Sequence, residues 1–215
     1  DGQDAWQALR SHYGLSHPFT VEWLPARPLF RRYDYGLSAV HWAQGWGADL
    51  LFTRLPQAAA LASRMGFPTV FEIHDLPQGR MGPRFLKWFI GGKGARRLVM
   101  ITQALADDLA AQLKTPVEPP LGVIAPDGVD LERYHELPPP QEARRRLASA
   151  LPGLDPGRFT AGYTGHLYSG RGAGLLLKVA ARLPEVNFLI VGGEPHDVAR
   201  LQEQARNLEN VLLAG

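Results

Sequence analysis

The sequence predicts an α/β protein built from doubly wound parallel sheets. Three observations lead to this fold class. Short apolar segments alternate with segments of helical character along most of the 215 residues. Residues 188–191 form a continuous apolar run, which is typical of a strand buried on both faces. A proline-rich break, which includes residues 138–140, separates two alternating halves and therefore indicates two sheets.

The predicted strands are short apolar segments bounded by polar or turn-forming residues. Residues 19–24 alternate apolar and polar side chains, whereas residues 49–53 form a short apolar run. In chain order, strands are predicted at residues 19–24, 49–53, 69–73, 97–101, 121–125, 159–164, 186–191 and 211–213.

The predicted helix boundaries come from capping residues. Asp4 and Thr102 are typical N-caps, and Pro56 suits a first helical turn because its φ angle is fixed. Gly14 and Gly66 suit the carboxyl ends, since glycine tolerates positive φ. In chain order, helices are predicted at residues 4–13, 33–44, 56–66, 83–90, 102–114, 141–150, 171–183 and 195–208.

The alternation predicts two Rossmann-like domains, at residues 1–137 and 138–215. The second would hold three strands, which is few for an open α/β sheet. Gly215 directly follows a predicted strand, at the point where a ligand-binding loop is expected. We therefore expect the second domain to be incomplete.

Composition excludes several classes of function. The 23 Lys and Arg residues nearly balance the 21 Asp and Glu residues, so we expect no nucleic-acid partner. The absence of cysteine excludes disulfides, thiolate metal sites and a cysteine nucleophile, and fits a cytoplasmic location. No apolar run approaches the roughly 20 residues that span a bilayer.

The strongest functional signal is a glycine-rich turn between a predicted strand and helix, at residues 159–183. A helix N-terminus offers unpaired N–H groups and a partial positive charge, and glycine lets a ligand approach them. Arg171 adds a cation, so the turn predicts an anion site. The spacing is not that of a P-loop, which needs Lys and then Ser or Thr where Arg171 and Gly172 stand. The alternative is a tight turn that uses glycine for geometry alone.

A second turn of this kind contains Gly192, Gly193 and Glu194. Its two glycines follow a buried strand, where they permit close approach of a ligand or of another backbone segment. Glu194 could accept a hydrogen bond from a ligand hydroxyl, or could favour the N-terminus of the next helix.

In the first domain, His74 and Asp75 follow a predicted strand, at the sheet edge where ligands bind in open α/β folds. His74 could donate a hydrogen bond to a phosphate or a hydroxyl; the alternative is a histidine satisfied by a neighbouring loop. The sequence shows no metal-ligand spacing around the other histidines.

Residues 84–90 join aromatic and basic side chains. Such a mixture can make a peripheral contact with an anionic membrane. The alternative, which we favour, is a short helix whose aromatic face is core and whose cations are solvated.

Taken together, the motifs resemble the family-4 glycosyltransferases of the GT-B fold. The matching segments are residues 71–75 (FEIHD), 125–130 (APDGVD), 162–167 (GYTGHL) with Arg171 and Gly172, and 189–193 (LIVGG).

This resemblance implies retaining transfer of a sugar from a nucleotide-diphosphate donor to a sugar, lipid or other hydroxyl acceptor, without metal or other cofactor. It implies that His74 is catalytic, close to the donor sugar and diphosphate. The implied diphosphate ligands are Gly165, His166, Arg171 and Gly172, with Gly192, Gly193 and Glu194 as a further donor-side loop.

The sequence also departs from the family pattern. The glycine-rich loop of the first domain would precede Asp1, and the paired glutamates that hold the donor would follow Gly215. We therefore expect a fragment that is weak or inactive alone. Two alternatives are a non-catalytic phosphate- or sugar-binding module or degenerate scaffold on the same fold, and a sugar-nucleotide epimerase.

Overall fold

The structure, a computed structural model, describes residues 2–30 and 32–214. Asp1 and Gly215, to which the expectations about the chain ends refer, lie outside the described residues. The chain divides into two compact units, Asp1–Val129 and Asp130–Gly215. The domain division predicted after residue 137 falls a little later in the same turn-rich segment.

The first unit contains a four-stranded parallel sheet with the order β1-β2-β3-β4. Its strands are β1 (Leu51–Thr53), β2 (Thr69–Ile73), β3 (Ala95–Met100) and β4 (Gly122–Ile124). Its helices are α1 (Gly2–Tyr13), α2 (Tyr33–Trp46), α3 (Pro56–Arg64), α4 (Gly82–Ile90) and α5 (Gln103–Leu113), with a 3₁₀ helix at Pro28–Phe30.

The second unit contains a three-stranded parallel sheet with the order β5-β6-β7. Its strands are β5 (Thr160–Thr164), β6 (Asn187–Val191) and β7 (Val211–Ala214). Its helices are α6 (Pro140–Ala150), α7 (Ala173–Ala180) and α8 (Pro195–Ala205), with a 3₁₀ helix at Leu131–Tyr134. The predicted α/β class with two parallel sheets is therefore confirmed.

Three predicted elements are corrected. Residues 19–24 form no strand, because no described strand pairs with them and alternation without a ladder partner does not make a strand. Helix α1 begins at Gly2, so Asp4 lies inside it rather than at its cap. Helix α7 is shorter than predicted, because Gly172 adopts a left-handed conformation at one end and Pro184 disfavours helix beyond the other.

The core of the first unit forms where α4 and α5 pack on β2 and β3. The rings of Phe71 and Phe89 meet edge to face at 5.4 Å, and Leu98 and Leu109 are fully buried beside them. Helix α4 buries Phe85 and Phe89 but leaves Trp88 exposed, so packing accounts for only part of the aromatic character of residues 84–90. Among the described helices, none combines the length and the apolar character needed to cross a bilayer.

In the second unit, Asn210 joins the end of α7 to the start of β6. Its buried side-chain amide Nδ2 donates to the carbonyl oxygens of Ala180, Leu183 and Val186, at 2.9–3.0 Å. Two of these oxygens belong to the turn that follows the helix, so Asn210 satisfies backbone acceptors that this turn leaves without a ladder partner.

We expect Asn210→Ala to lower the free energy of unfolding by about 1–3 kcal/mol, because three buried or part-buried carbonyl oxygens each lose one donor. Exposed Asn207 provides the matched control, and Asn207→Ala should change stability by less than about 0.5 kcal/mol. Urea unfolding followed by far-ultraviolet circular dichroism measures both. Equal effects of the two variants would contradict this account of the turn.

Candidate functional site

Both glycine-rich turns lie at the carboxyl edge of the second sheet. The register pairs Thr164 with Val191 and Val191 with Ala214, so the three strands end at one level. Gly165 and Gly192 directly follow the first two of these strands. The amide N–H of Gly165 donates to the carbonyl of Val191 at 3.0 Å, which extends the ladder into the turn.

The two turns pack directly on each other. A Cβ atom on Gly192 would lie 2.8 Å from the carbonyl oxygen of Gly165, and one on Gly193 would lie 2.6 Å from the Leu167 side chain. Both glycines also have positive φ, +102° and +98°. Close packing therefore favours glycine at both positions, against the backbone of Gly165 for Gly192 and against the Leu167 side chain for Gly193.

Three exposed side chains of the first turn lie in a row. The His166 ring is 5.7 Å from the Tyr168 ring, and the Arg171 guanidinium carbon lies 4.9 Å from the centroid of the same tyrosine. Arg171 Nε donates to Tyr168 Oη at 2.7 Å. No carboxylate in the described part of the chain pairs with Arg171, so its terminal nitrogens can bind an anion in the two-pronged manner of guanidinium.

The N-terminus of α7 is open beside this row. Gly172 occupies the N-cap with φ +83°, and no described side chain caps the helix. Leu175 and Leu176 both donate to the Gly172 carbonyl, at 2.9 and 3.2 Å. The N–H groups at the start of the helix and the positive end of its dipole can therefore meet an anion together with Arg171.

Helix α8 holds the first turn through a hydrogen bond from one of its side chains. Buried Asp197 forms an ion pair with Arg200 at 2.6 Å, and Arg200 Nη2 donates to the carbonyl of Leu167 at 2.9 Å. This bridge from α8 fixes the turn from which His166 and Arg171 project. Glu194 precedes α8 as its N-cap, but its exposed side chain makes no cap hydrogen bond.

In the first unit, His74 lies at the carboxyl end of β2. The strand buries Phe71 and Ile73, so Glu72 and His74 share the opposite, half-buried face. His74 Nε2 and Glu72 Oε1 are 2.6 Å apart, and Arg54 Nε lies 3.7 Å from the same oxygen. These groups line a pocket of about 320 Å³ that also includes Asp75.

Asp127 approaches His74 from the loop after β4, with its Oδ2 4.0 Å from His74 Nδ1. One ligand atom each from Glu72, His74 and Asp127 lie within 4.8 Å of one another, which is a spacing that could hold a metal ion. The local spacing of histidines did not predict this cluster, because β2 and the loop after β4 are far apart in sequence. The absence of a metal stays a prediction.

The sequence also did not predict several residues that contact the candidate site residues. Tyr168 gave no signal because an aromatic residue in a loop has no characteristic partner spacing. Asp197 and Arg200 are spaced i, i+3 on a helix, which indicates an ion pair but not its contact with the Leu167 carbonyl. Glu72 could have been found, since the i, i+2 spacing on a strand places it on the same face as His74.

No protein-family model and no curated protein matches the sequence. Solved structures are similar in fold. Anabaena HepE in complex with UDP-glucose has a TM-score of 0.69 and 20% identity, over 98% of this chain and 59% of that chain. A glycosyltransferase from Rickettsia africae ESF-5 has a TM-score of 0.66 and 15% identity, over 97% of this chain and 57% of that chain.

A third similar structure is UDP-GlcNAc 2-epimerase from Neisseria meningitidis bound to UDP-GlcNAc. Its TM-score is 0.56 and its identity 13%, over 99% of this chain and 61% of that chain. The protein therefore has the GT-B fold of two Rossmann-like units, and spans about three-fifths of the length of these neighbours.

The packing of the two turns is testable with a pair of glycine substitutions. We expect Gly192→Ala to destabilise the protein by about 1–3 kcal/mol, because the methyl group meets the Gly165 carbonyl and the positive φ strains alanine. Gly174→Ala is the control: its Cβ meets nothing within 4 Å, and helix propensity favours alanine by up to about 1 kcal/mol. Thermal unfolding measures both, and a neutral Gly192→Ala would contradict the packing.

Proposed function

We propose that the protein transfers a sugar from a nucleotide-diphosphate donor to an acceptor hydroxyl, with retention of configuration. The observation that carries this proposal is the Arg171 guanidinium, with which no described carboxylate pairs, beside the open N-terminus of α7 at the carboxyl edge of a parallel sheet. The fold shared with HepE, whose structure contains UDP-glucose, supports the same ligand class.

In this proposal, Arg171 and the backbone of Gly165 and Gly172 bind the donor diphosphate. These donors are fixed before the reaction, so they stabilise the leaving diphosphate as its negative charge grows. His166, whose ring lies 5.7 Å from the Tyr168 ring that Arg171 also contacts, adds a hydrogen bond to the same group. Glu194, whose exposed side chain does not cap α8, accepts a hydrogen bond from a hydroxyl of the donor.

We assign the catalytic position, in contact with the reacting sugar, to His74. The acceptor in this proposal is a sugar, lipid or other hydroxyl compound, and the site of action is the cytoplasm. A second candidate function is epimerisation of a nucleotide-sugar, because an epimerase shares the fold over 99% of this chain.

The proposed function is tested by incubating the protein with UDP-, GDP- and ADP-sugars and a panel of sugar and lipid acceptors. Transfer predicts acceptor-dependent release of nucleoside diphosphate and a product whose anomeric configuration, read by NMR, matches the donor. Release of nucleotide and free sugar without an acceptor would favour the epimerase. Thermal stabilisation by nucleotide-sugar without turnover, in a protein shown to be full-length, would favour a binding module.

Substitution of Arg171 tests the diphosphate site. We expect Arg171→Ala to weaken binding of nucleoside diphosphate about 10- to 100-fold, because charged hydrogen bonds contribute about 1.5–3 kcal/mol. Arg171→Lys should lose less, since it keeps the charge but not the two-pronged geometry. Exposed Arg182, beyond the end of α7, supplies the control: Arg182→Ala should leave affinity unchanged in calorimetry. Equal losses at both positions would argue against a specific site.

Metal independence is a separate prediction of this proposal. We expect the chelator EDTA to leave the rate of sugar transfer unchanged, since Arg171 and backbone N–H groups supply the positive charge at the diphosphate. The control adds Mn²⁺ or Mg²⁺ after chelation, which should not raise the rate. A rate that falls with EDTA and returns with Mn²⁺ would instead implicate the cluster of Glu72, His74 and Asp127.

A further inference from the structure

We propose that Glu72 is a positioning residue, which fixes His74 in the tautomer that carries its proton on Nε2 and presents Nδ1 to the ligand. This inference rests on the proposed function for the catalytic role of His74, but not for the tautomer itself. It adds a requirement that the ligand group facing His74 be a hydrogen-bond donor.

The geometry of β2 places the side chains of Glu72 and His74 next to each other. Both side chains project from the same face of β2, and the backbone of Glu72 lies in register with Val99 of the neighbouring strand. The side chains are about equally shielded, with 20% and 21% of their surface exposed. The distance of 2.6 Å between Nε2 and Oε1 is that of a charge-assisted hydrogen bond.

The chemistry of this contact determines where the proton lies. An ionised carboxylate only accepts hydrogen bonds, and a neutral imidazole carries one donor nitrogen and one acceptor nitrogen. Nε2 must therefore donate to Glu72, which leaves Nδ1 as the acceptor. Arg54 lies on the other side of the same Glu72 oxygen, and a guanidinium can only donate. Glu72 Oε1 is thus an acceptor towards both of its neighbours.

The outer nitrogen of His74 remains available. The nearest carboxylate oxygen, on Asp127, is 4.0 Å from Nδ1, which is beyond hydrogen-bond distance. The Asp127 side chain is itself 70% exposed, so it can move away from Nδ1 when a ligand binds.

The ligand class follows from the tautomer. A free Nδ1 lone pair can accept a hydrogen bond from a sugar hydroxyl, whereas a phosphate oxygen in its ionised form has no proton to donate. The charges of Glu72, Asp75 and Asp127 around His74 also repel an anion, whereas Arg54 attracts it. The Glu72–His74 pair therefore favours the hydroxyl groups of a sugar over the diphosphate.

The test is the ¹⁵N–¹H correlation spectrum of the histidine rings in the 215-residue chain, recorded in alkaline buffer so that it reports neutral imidazole. His74→Gln assigns the His74 signals by their loss. We expect a protonated Nε2 and an unprotonated Nδ1 in the wild-type protein. A proton on Nδ1 overturns the proposal without any further variant.

Glu72→Gln then tests whether Glu72 causes this preference. Its amide has the same shape but can donate as well as accept, so we expect a mixture of the two tautomers. Asp127→Asn is the matched control and should leave the wild-type tautomer in place, because Asp127 makes no hydrogen bond to the ring. An unchanged tautomer in Glu72→Gln overturns the positioning role.

Kinetics separate this inference from the proposed function. If sugar transfer occurs, Glu72→Gln should lower kcat about 10- to 100-fold, by analogy with the loss caused by removing the partners that orient metal-bound histidines. The KM for the donor should change less than kcat, because the diphosphate, which carries most of the donor's charge, is bound elsewhere. A tautomer change in a chain that transfers no sugar would leave the positioning role intact, whereas sugar transfer with an unchanged tautomer would refute that role and support the proposed function.

Discussion

The close packing of two glycine turns is the constraint on which the candidate site depends. Gly192 lies against the carbonyl oxygen of Gly165, at a distance that excludes even a methyl group. This contact fixes the backbone at the end of β5, and the bridge from Asp197 through Arg200 fixes the residues that follow. The anion-binding groups can therefore project from a rigid loop, which is how preorganised sites avoid reorganisation during a reaction.

Strand β2 also positions polar side chains through the packing of its opposite face. One face of this strand belongs to the hydrophobic core through Phe71, while the other face carries the pair formed by Glu72 and His74. Burial of the first face holds the strand in place, since Phe71 packs on Phe89. The packing of the core therefore fixes the position of the polar pair, whose formation does not depend on a flexible loop.

Sequence patterns predicted most of the fold because strands and helices here follow local rules. The boundaries of β2 agree with the prediction to the residue, and Thr102 caps α5 through a hydrogen bond to the Leu105 amide. The strand expected at residues 19–24 does not form, because a strand needs a neighbouring strand to pair with, and alternation in the sequence does not reveal one. Arg171 was visible in sequence, whereas its contact with Tyr168 and the approach of Asp127 to His74 depend on loop conformation and on long-range folding.

The tyrosine beneath Arg171 has an energetic consequence. A long, exposed arginine ordinarily samples many rotamers, and holding it still costs about 0.5–1.5 kcal/mol when a ligand binds. The hydrogen bond from Nε and the contact with the ring restrict that motion beforehand. Part of the entropy loss is thus incurred during folding, and an arriving anion meets a guanidinium whose orientation is already selected.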